Sequence, residues 1–412
     1  MLTGLRAPPP RHSGVRLTNQ DKIAFLHPGY SAPRNQLFSL PRVDAVDGDG
    51  GSKCGVHHLT ALTACQVVAN NAFRQGRLCT DTEGLRPAAE PMDGVLTAPH
   101  YYLVIDGNGT MYPVVPSFQD WEFPHANFPT TWPAPSETQH EGPLAPPAPA
   151  ATTRHCVVTN SGLASTSAHL VPREHDLWFS LNAMSIYGTG VRDIDDESNL
   201  VRMRADIHKC FDDRLFTMVP KPDGDSGLHY AVHAVDEGDT EFRDLHHNTA
   251  VQNIARVSRE YAFARFAWCV LLRLKPFLLG GIPRRVVRFG LFGGGEPESR
   301  TERMDGSQLR DLFGAGKSRS SSPRKRKLEP PPGQLPDASL AGSGSCSSTA
   351  IGVEDEGEAD DWYERNVEHS PRGRTRKRAC HSFDGKRRHE ADFGAAVSLV
   401  QGQGELMQPR GG

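Results

Sequence analysis

The chain contains 412 residues, a length that suits two or three domains of ordinary size. Hydrophobic residues make up 37%, beside 40 glycines and 32 prolines, which is typical of a folded part joined to segments that bury little. The formal net charge of −3 favours no particular partner. The eight cysteines form no CxxC pair, which excludes a zinc ribbon and indicates a reducing compartment. The longest apolar run, residues 262–281, carries three basic residues, so we expect no membrane contact.

The first region predicts a small α+β domain over residues 20–133, preceded by a disordered N-terminus over residues 1–19. "HHLTALTACQVVANNAF", residues 57–73, is typical of a helix because its leucines and valines recur at helical spacing. "YYLVIDGNGTMYPVV", residues 101–115, predicts a hairpin, since Asp-Gly and Asn-Gly supply its turn. Residues 134–153 are rich in Pro and Ala and predict a linker.

A second folded region is expected over residues 154–290. "CVVTNSGLASTSAHLV" predicts two short β segments around a Ser-Gly turn, and the segment after it could hold a short helix in a long loop. "NLVRM" predicts a strand and "RADIHKCFDDRLF" a helix. "VSREYAFARFAWCVLLRL" predicts an amphipathic helix, because its large apolar residues step by three and four.

Residues 291–412 are rich in Gly, Ser, Pro and charge, and predict a disordered charged tail. Two basic clusters, "SPRKRKLEPPP" and "RGRTRKRACHSFDGKRRH", lie in it. Clusters of this length suit a nuclear import receptor or contact with nucleic acid, and the alternative is a solvated tail. We therefore expect nuclear localisation, with the cytoplasm as the alternative.

Four residues of the second region could carry hydrolytic chemistry. His169 ends the first strand just before a proline, and Asn199 opens the second strand. His208 and Asp212 lie four residues apart on the predicted helix and therefore share a face. A one-metal hydrolase needs a base beside a metal-held phosphate, so His169 could be the catalytic base, Asn199 could fix its backbone, and the helix pair could hold the ion.

Each of these residues also has an ordinary structural explanation. A lone histidine is more often structural, the asparagine could end a loop, and the helix pair could simply be hydrogen-bonded. If the pair does bind one divalent ion, imidazole with carboxylate suits Mn²⁺, Ni²⁺ or Zn²⁺ better than Mg²⁺.

The segments "CVVTN", "AHLVP", "NLVRMRADIHKCFD" and "MVPKP" resemble, in this order, the HNH endonuclease domain of a large group of fungal proteins. "YAFARFAWCVL" and N-terminal segments such as "GVHHLTALTAC" are also similar, so the resemblance covers roughly residues 20–280. It implies a ββα-metal nuclease domain, preceded by an added α+β domain, that acts on DNA, with RNA as the alternative. By this resemblance His169, Asn199 and His208 match the three motif positions.

Two departures from that family bear on activity. Ala168 stands where many relatives carry a metal ligand, and Ser167 and Thr166 precede it. The ion would then depend on Asp212 or on a loop acid, for which Asp193, Asp195 and Asp196 are candidates. Cys156 has no second cysteine nearby, because Thr159 stands in that place, so hydrophobic packing must replace a structural zinc.

Other histidines are weaker candidates. Cys54, His57 and His58 have a spacing that could bind metal, although the start of a buried helix explains them more simply. His246 and His247 are expected in a loop without a role. Three functions compete: a metal-dependent DNA endonuclease, which we favour, a non-catalytic nucleic-acid-binding protein, and a protein-interaction module. The sequence indicates neither a target site nor an oligomeric state.

Overall fold

The computed structural model describes residues 21–46, 53–107, 110–135, 155–222, 227–236 and 240–314. In chain order its strands are β1 (Lys22–Leu26), β2 (Gln36–Pro41), β3 (Asp44–Val46), β4 (Lys53–His57), β5 (Gly76–Cys79), β6 (Val95–Leu96), β7 (His100–Ile105), β8 (Ser165–His169), β9 (Leu200–Arg204), β10 (Phe216–Pro222), β11 (Leu228–Ala234), β12 (Arg284–Gly290) and β13 (Glu298–Met304). Its helices are α1 (His58–Val68), α2 (Asp176–Leu181), α3 (Ala205–Asp212), α4 (Thr240–His246), α5 (Arg259–Leu271), α6 (Lys275–Leu278) and α7 (Gly306–Phe313).

The N-terminal part combines a four-stranded sheet of order β2-β1-β7-β5 with a three-stranded sheet of order β3-β4-β6. Helix α1 forms where its leucine pattern predicts it, and nearly all its side chains are buried. The predicted hairpin over residues 101–115 is wrong: β7 pairs with β1 and β5, whereas Val114 bridges to Val286 of β12. Pro113 lacks the N–H that a returning strand would donate, so tertiary partners decided this pairing.

Helix α5 joins the two expected domains through one core. It packs against α1 and β10, and residues 261–271 are all buried, including Arg265. The helix is therefore buried all round, not amphipathic. Trp121 and Trp178 stack with ring centroids 5.7 Å apart, and the Trp178 indole donates to the Trp121 carbonyl at 2.7 Å. These contacts join residues on the two sides of the predicted linker, most of which lies outside the described part.

Strands β8 and β9 and helix α3 form the unit that carries the candidate site. The two strands are antiparallel, and His169 pairs with Leu200 in their register. Helix α3 begins directly after β9 and packs against both strands. The long loop between the strands holds α2, as its sequence predicted. The order is thus strand, strand, helix.

The folded part extends further than the sequence analysis expected. Residues 291–314, assigned there to a tail, contain β13, which pairs with β12, and α7, which begins with a capping box of Asp305 and Gln308. The strand was missed because its exposed face is charged, while Met304 at its end and Leu309 of α7 are buried. The rest of the expected tail and both basic clusters lie outside the described residues. Among the described helices, none is long and apolar enough to cross a membrane.

Candidate functional site

His169 is held by an acid from the long loop. Its Nε2 lies 2.9 Å from Oδ1 of Asp195, and Arg173 bonds both oxygens of that carboxylate at 2.6 and 2.7 Å. Hydrogen bonds from Arg173, and next from His169, lower the pKa of Asp195, so the carboxylate is charged and only accepts. Neutral His169 therefore carries its proton on Nε2. Its Nδ1 keeps a lone pair, as a base requires, and the ring remains partly exposed.

Asn199 fixes the backbone on both sides of the loop. Its side chain is fully buried; Oδ1 accepts from the Val171 N–H at 2.9 Å, and Nδ2 donates to the Val171 and Ile194 carbonyls at 3.0 and 2.7 Å. The backbone carbonyl of Asn199 accepts from the Leu170 N–H at 2.9 Å. The segment that follows His169 is thereby tied to the start of β9.

Asn199→Ala should therefore lower the free energy of unfolding by about 2–3 kcal/mol, because it leaves one buried N–H and two carbonyls without a partner. Urea unfolding of the full chain measures this. Asn199→Asp is the matched control and should cost less, since one oxygen can still accept from Val171. Equal stability of the alanine variant and the wild type would contradict the anchoring role.

His208 has the opposite tautomer. Its Nδ1 lies 2.8 Å from the Thr166 hydroxyl, which donates its own proton to the Met203 carbonyl at 3.2 Å. The hydroxyl oxygen therefore accepts from Nδ1–H, and Nε2 keeps a lone pair. Burial lowers the pKa of His208, with Arg265 and His169 adding to the effect and Asp212 opposing it, so the ring is neutral at neutral pH.

Two acceptors consequently face each other on α3. Nε2 of His208 lies 3.4 Å from Oδ2 of Asp212, and no proton stands between them in this tautomer. A cation between these atoms would turn repulsion into attraction, and at usual ligand bonds of about 2.0–2.2 Å the two atoms can share one ion. Asp212 is largely exposed, which leaves room for water and a phosphate. The helix pair therefore fits a divalent metal.

The missing ligand is not replaced from the loop. Ala168 is fully buried. Asp195 is engaged by Arg173 and His169, and the oxygens of Asp196 accept from loop N–H groups and Ser198. Asp193 accepts from the Asp195 N–H. Within the described ranges, no group of three potential ligands includes His208 or Asp212.

A different cluster escaped the sequence analysis. Asp44, His233 and His247 place their potential ligand atoms within 4.8 Å of one another, so His247 is not an idle loop residue. However, Lys221 Nζ lies 2.5 Å from Asp44 Oδ1 and supplies the positive charge. The His247 Nδ1 accepts from the Ala234 N–H at 3.2 Å, so its Nε2 carries the proton that it donates to Asp44 at 3.0 Å.

That tautomer does not suit a metal ligand, whose other ring nitrogen normally donates. The cluster is instead a buried ion pair that ties β3 to the β10–β11 hairpin. Burial by itself would raise the pKa of Asp44, but Lys221 and His247 outweigh it and hold that pKa well below its usual range. His57 and His58 are also buried where α1 begins, as their simpler explanation predicted. No single sequence motif marks this cluster, because its members come from three distant segments.

Comparison with known proteins identifies one region. Residues 156–219 match the HNH_2 family model, described as HNH endonuclease. The match includes β8, β9 and α3, and it supports an HNH-domain protein with nuclease activity on nucleic acids. No curated protein and no solved structure gave a significant match to the chain. The fungal origin implied by the sequence resemblance is thus not shown.

Proposed function

We propose that the chain is a metal-dependent HNH endonuclease that hydrolyses phosphodiester bonds of DNA, with His169 as base and with His208 and Asp212 as metal ligands. The observation that carries this proposal is the pair of opposite tautomers. Nδ1 of His169 is left to accept a proton, while Nε2 of His208 is left to bind a cation beside Asp212. The unit formed by β8, β9 and α3 then corresponds to the ββα-metal fold.

The chain's own groups account for the proton transfer. His169 Nδ1 takes a proton from the attacking water, and the imidazolium that forms is stabilised by the charged Asp195. Arg173 holds Asp195 in place, and Asn199 holds the backbone that follows the base. A divalent ion on His208 and Asp212 would supply Lewis-acid stabilisation of the phosphate and the leaving oxygen.

A second candidate is a nucleic-acid-binding protein without catalysis. Two ligands from α3 make a weaker metal site than three, and Ala168 supplies none. The deciding experiment incubates the purified full chain with supercoiled plasmid and with Mg²⁺, Mn²⁺, Ni²⁺ or Zn²⁺ in turn. Nicking that needs added metal supports the endonuclease. Salt-dependent binding without nicking under any metal supports the second candidate.

Asp195→Asn tests how the base is oriented. An amide that donates to Nε2 would place the ring proton on Nδ1, which removes the lone pair that must accept a proton. We expect the nicking rate to fall about 10²-fold while metal affinity is unchanged. Asp193→Asn is the matched control, since that carboxylate accepts only from a loop N–H. Wild-type rates in the Asp195 variant would show that this carboxylate does not orient the base.

Nuclear localisation through the two basic clusters of residues 315–412 stays a prediction. These residues lie outside the described part.

A further inference from the structure

A deep cleft opens beside the candidate site. Its volume is about 910 Å³. One wall is formed by Asp213 and Arg214, which follow Asp212 directly at the end of α3. The other walls come from β2 and the segment before it, and from the region of α6 and β12. The cleft thus starts within one helical turn of a proposed metal ligand.

Basic residues dominate the lining. They are Lys22, Arg34, Arg214, Arg273 and Arg284, against the acids Asp213 and Asp236, so five positive and two negative charges leave a net charge of +3. The acids are already engaged, because Lys209 pairs with Asp213 and Arg273 lies 3.4 Å from Asp236. The excess of positive charge is therefore available to a ligand.

Three of the arginines have unused bonding capacity. Within the described ranges, neither Arg34 nor Arg214 has a carboxylate within 4.0 Å. Arg284 is buried and bonds the carbonyls of Phe277 and Arg34, but its Nη1 has no hydrogen-bond partner there. Buried donors without a partner are costly, which an acceptor entering the cleft would relieve.

We propose that this cleft binds the phosphodiester backbone of the nucleic-acid strand that the site beside it cuts. A phosphate chain is polyanionic and rich in acceptors, which matches a cationic cleft of this size. The aromatic rings of the floor, Phe38 and Phe277, are buried, so they do not offer faces for stacking bases. Recognition is therefore of backbone and not of sequence. This inference rests on the proposed function, since it extends that site's substrate path.

The test measures the binding of a labelled single-stranded DNA oligonucleotide to the full chain by fluorescence anisotropy, in chelator and over a range of salt concentrations. Arg34→Ala combined with Arg214→Ala should lower the slope of log affinity against log salt by about 2, one unit for each lost phosphate contact. Binding at 0.1 M salt should weaken by about 10- to 100-fold. The lysine double variant should recover most of the affinity.

Arg303→Ala is the matched control, because this arginine is exposed on β13 and does not line the cleft. It should leave affinity and slope unchanged. Arg214 also stacks on Trp268 at 5.3 Å, so a thermal melt checks folding. If the double variant melts early, Arg34→Glu alone decides, since Arg34 is exposed, and its slope should also fall.

An unchanged slope in the arginine variants, together with plasmid nicking by the wild type, would overturn the cleft and leave the proposed function standing. If the wild type neither binds nor nicks DNA, both fail. A slope that falls equally in the Arg303 variant would also overturn the assignment, because the effect would then be one of general surface charge.

Discussion

His169→Ala is expected to lower the plasmid-nicking rate by about 10²- to 10⁴-fold while metal affinity stays at the wild-type value. This range is usual for the loss of a positioned general base. The physical reason lies in the hydrogen bonds: Nε2 of His169 faces Asp195, not the metal ligands of α3. Isothermal titration of Mn²⁺ beside the nicking assay measures both quantities.

His208→Ala provides the contrast. It removes one of two ligand atoms, so metal binding and nicking should be lost together. Asp212→Asn should raise the metal concentration needed for half-maximal nicking, because a neutral amide is a weaker ligand than a carboxylate. Loss of metal binding in the His169 variant would show that the roles of the two histidines have been assigned wrongly. Full activity in the His208 variant would exclude the α3 metal site.

Lys221→Met should lower the free energy of unfolding by about 3–5 kcal/mol, the usual cost of removing one partner of a buried ion pair. Both Lys221 and Asp44 are buried, so the remaining carboxylate would lose its main cationic partner without regaining water. Urea unfolding at neutral pH measures the change. Asp44→Asn added to Lys221→Met should restore part of the loss, because it removes the unpaired charge.

The same ion pair predicts a pH dependence. The pKa of Asp44 is lower in the folded chain than its unfolded value near 4. Its contribution to stability is therefore fully present above about pH 4, and it is lost as the pH falls through the folded pKa. The Asp44→Asn variant should lack this acid-sensitive component. A wild type that keeps stoichiometric zinc through a chelator wash, and loses it on Asp44→Asn, would contradict the ion-pair interpretation.

The sequence by itself determined the local elements and the motif order. Helices α1 and α3 follow apolar spacings that are visible in the chain, because helix formation depends on contacts three and four residues apart. The same spacing placed His208 and Asp212 on one face of α3. The order of His169, Asn199 and His208 was likewise sufficient to indicate an HNH domain, which the match over residues 156–219 supports.

Only the tertiary structure decided which atoms of these residues are available. The sequence did not indicate that Asp195 would face His169, or that the Thr166 hydroxyl would fix the tautomer of His208, because these partners lie 26 and 42 residues away. The wrong hairpin over residues 101–115 and the missed strand β13 have the same cause. A strand is stabilised by its neighbour in the sheet, and that neighbour is selected by packing across the whole core, which no local pattern in the sequence records.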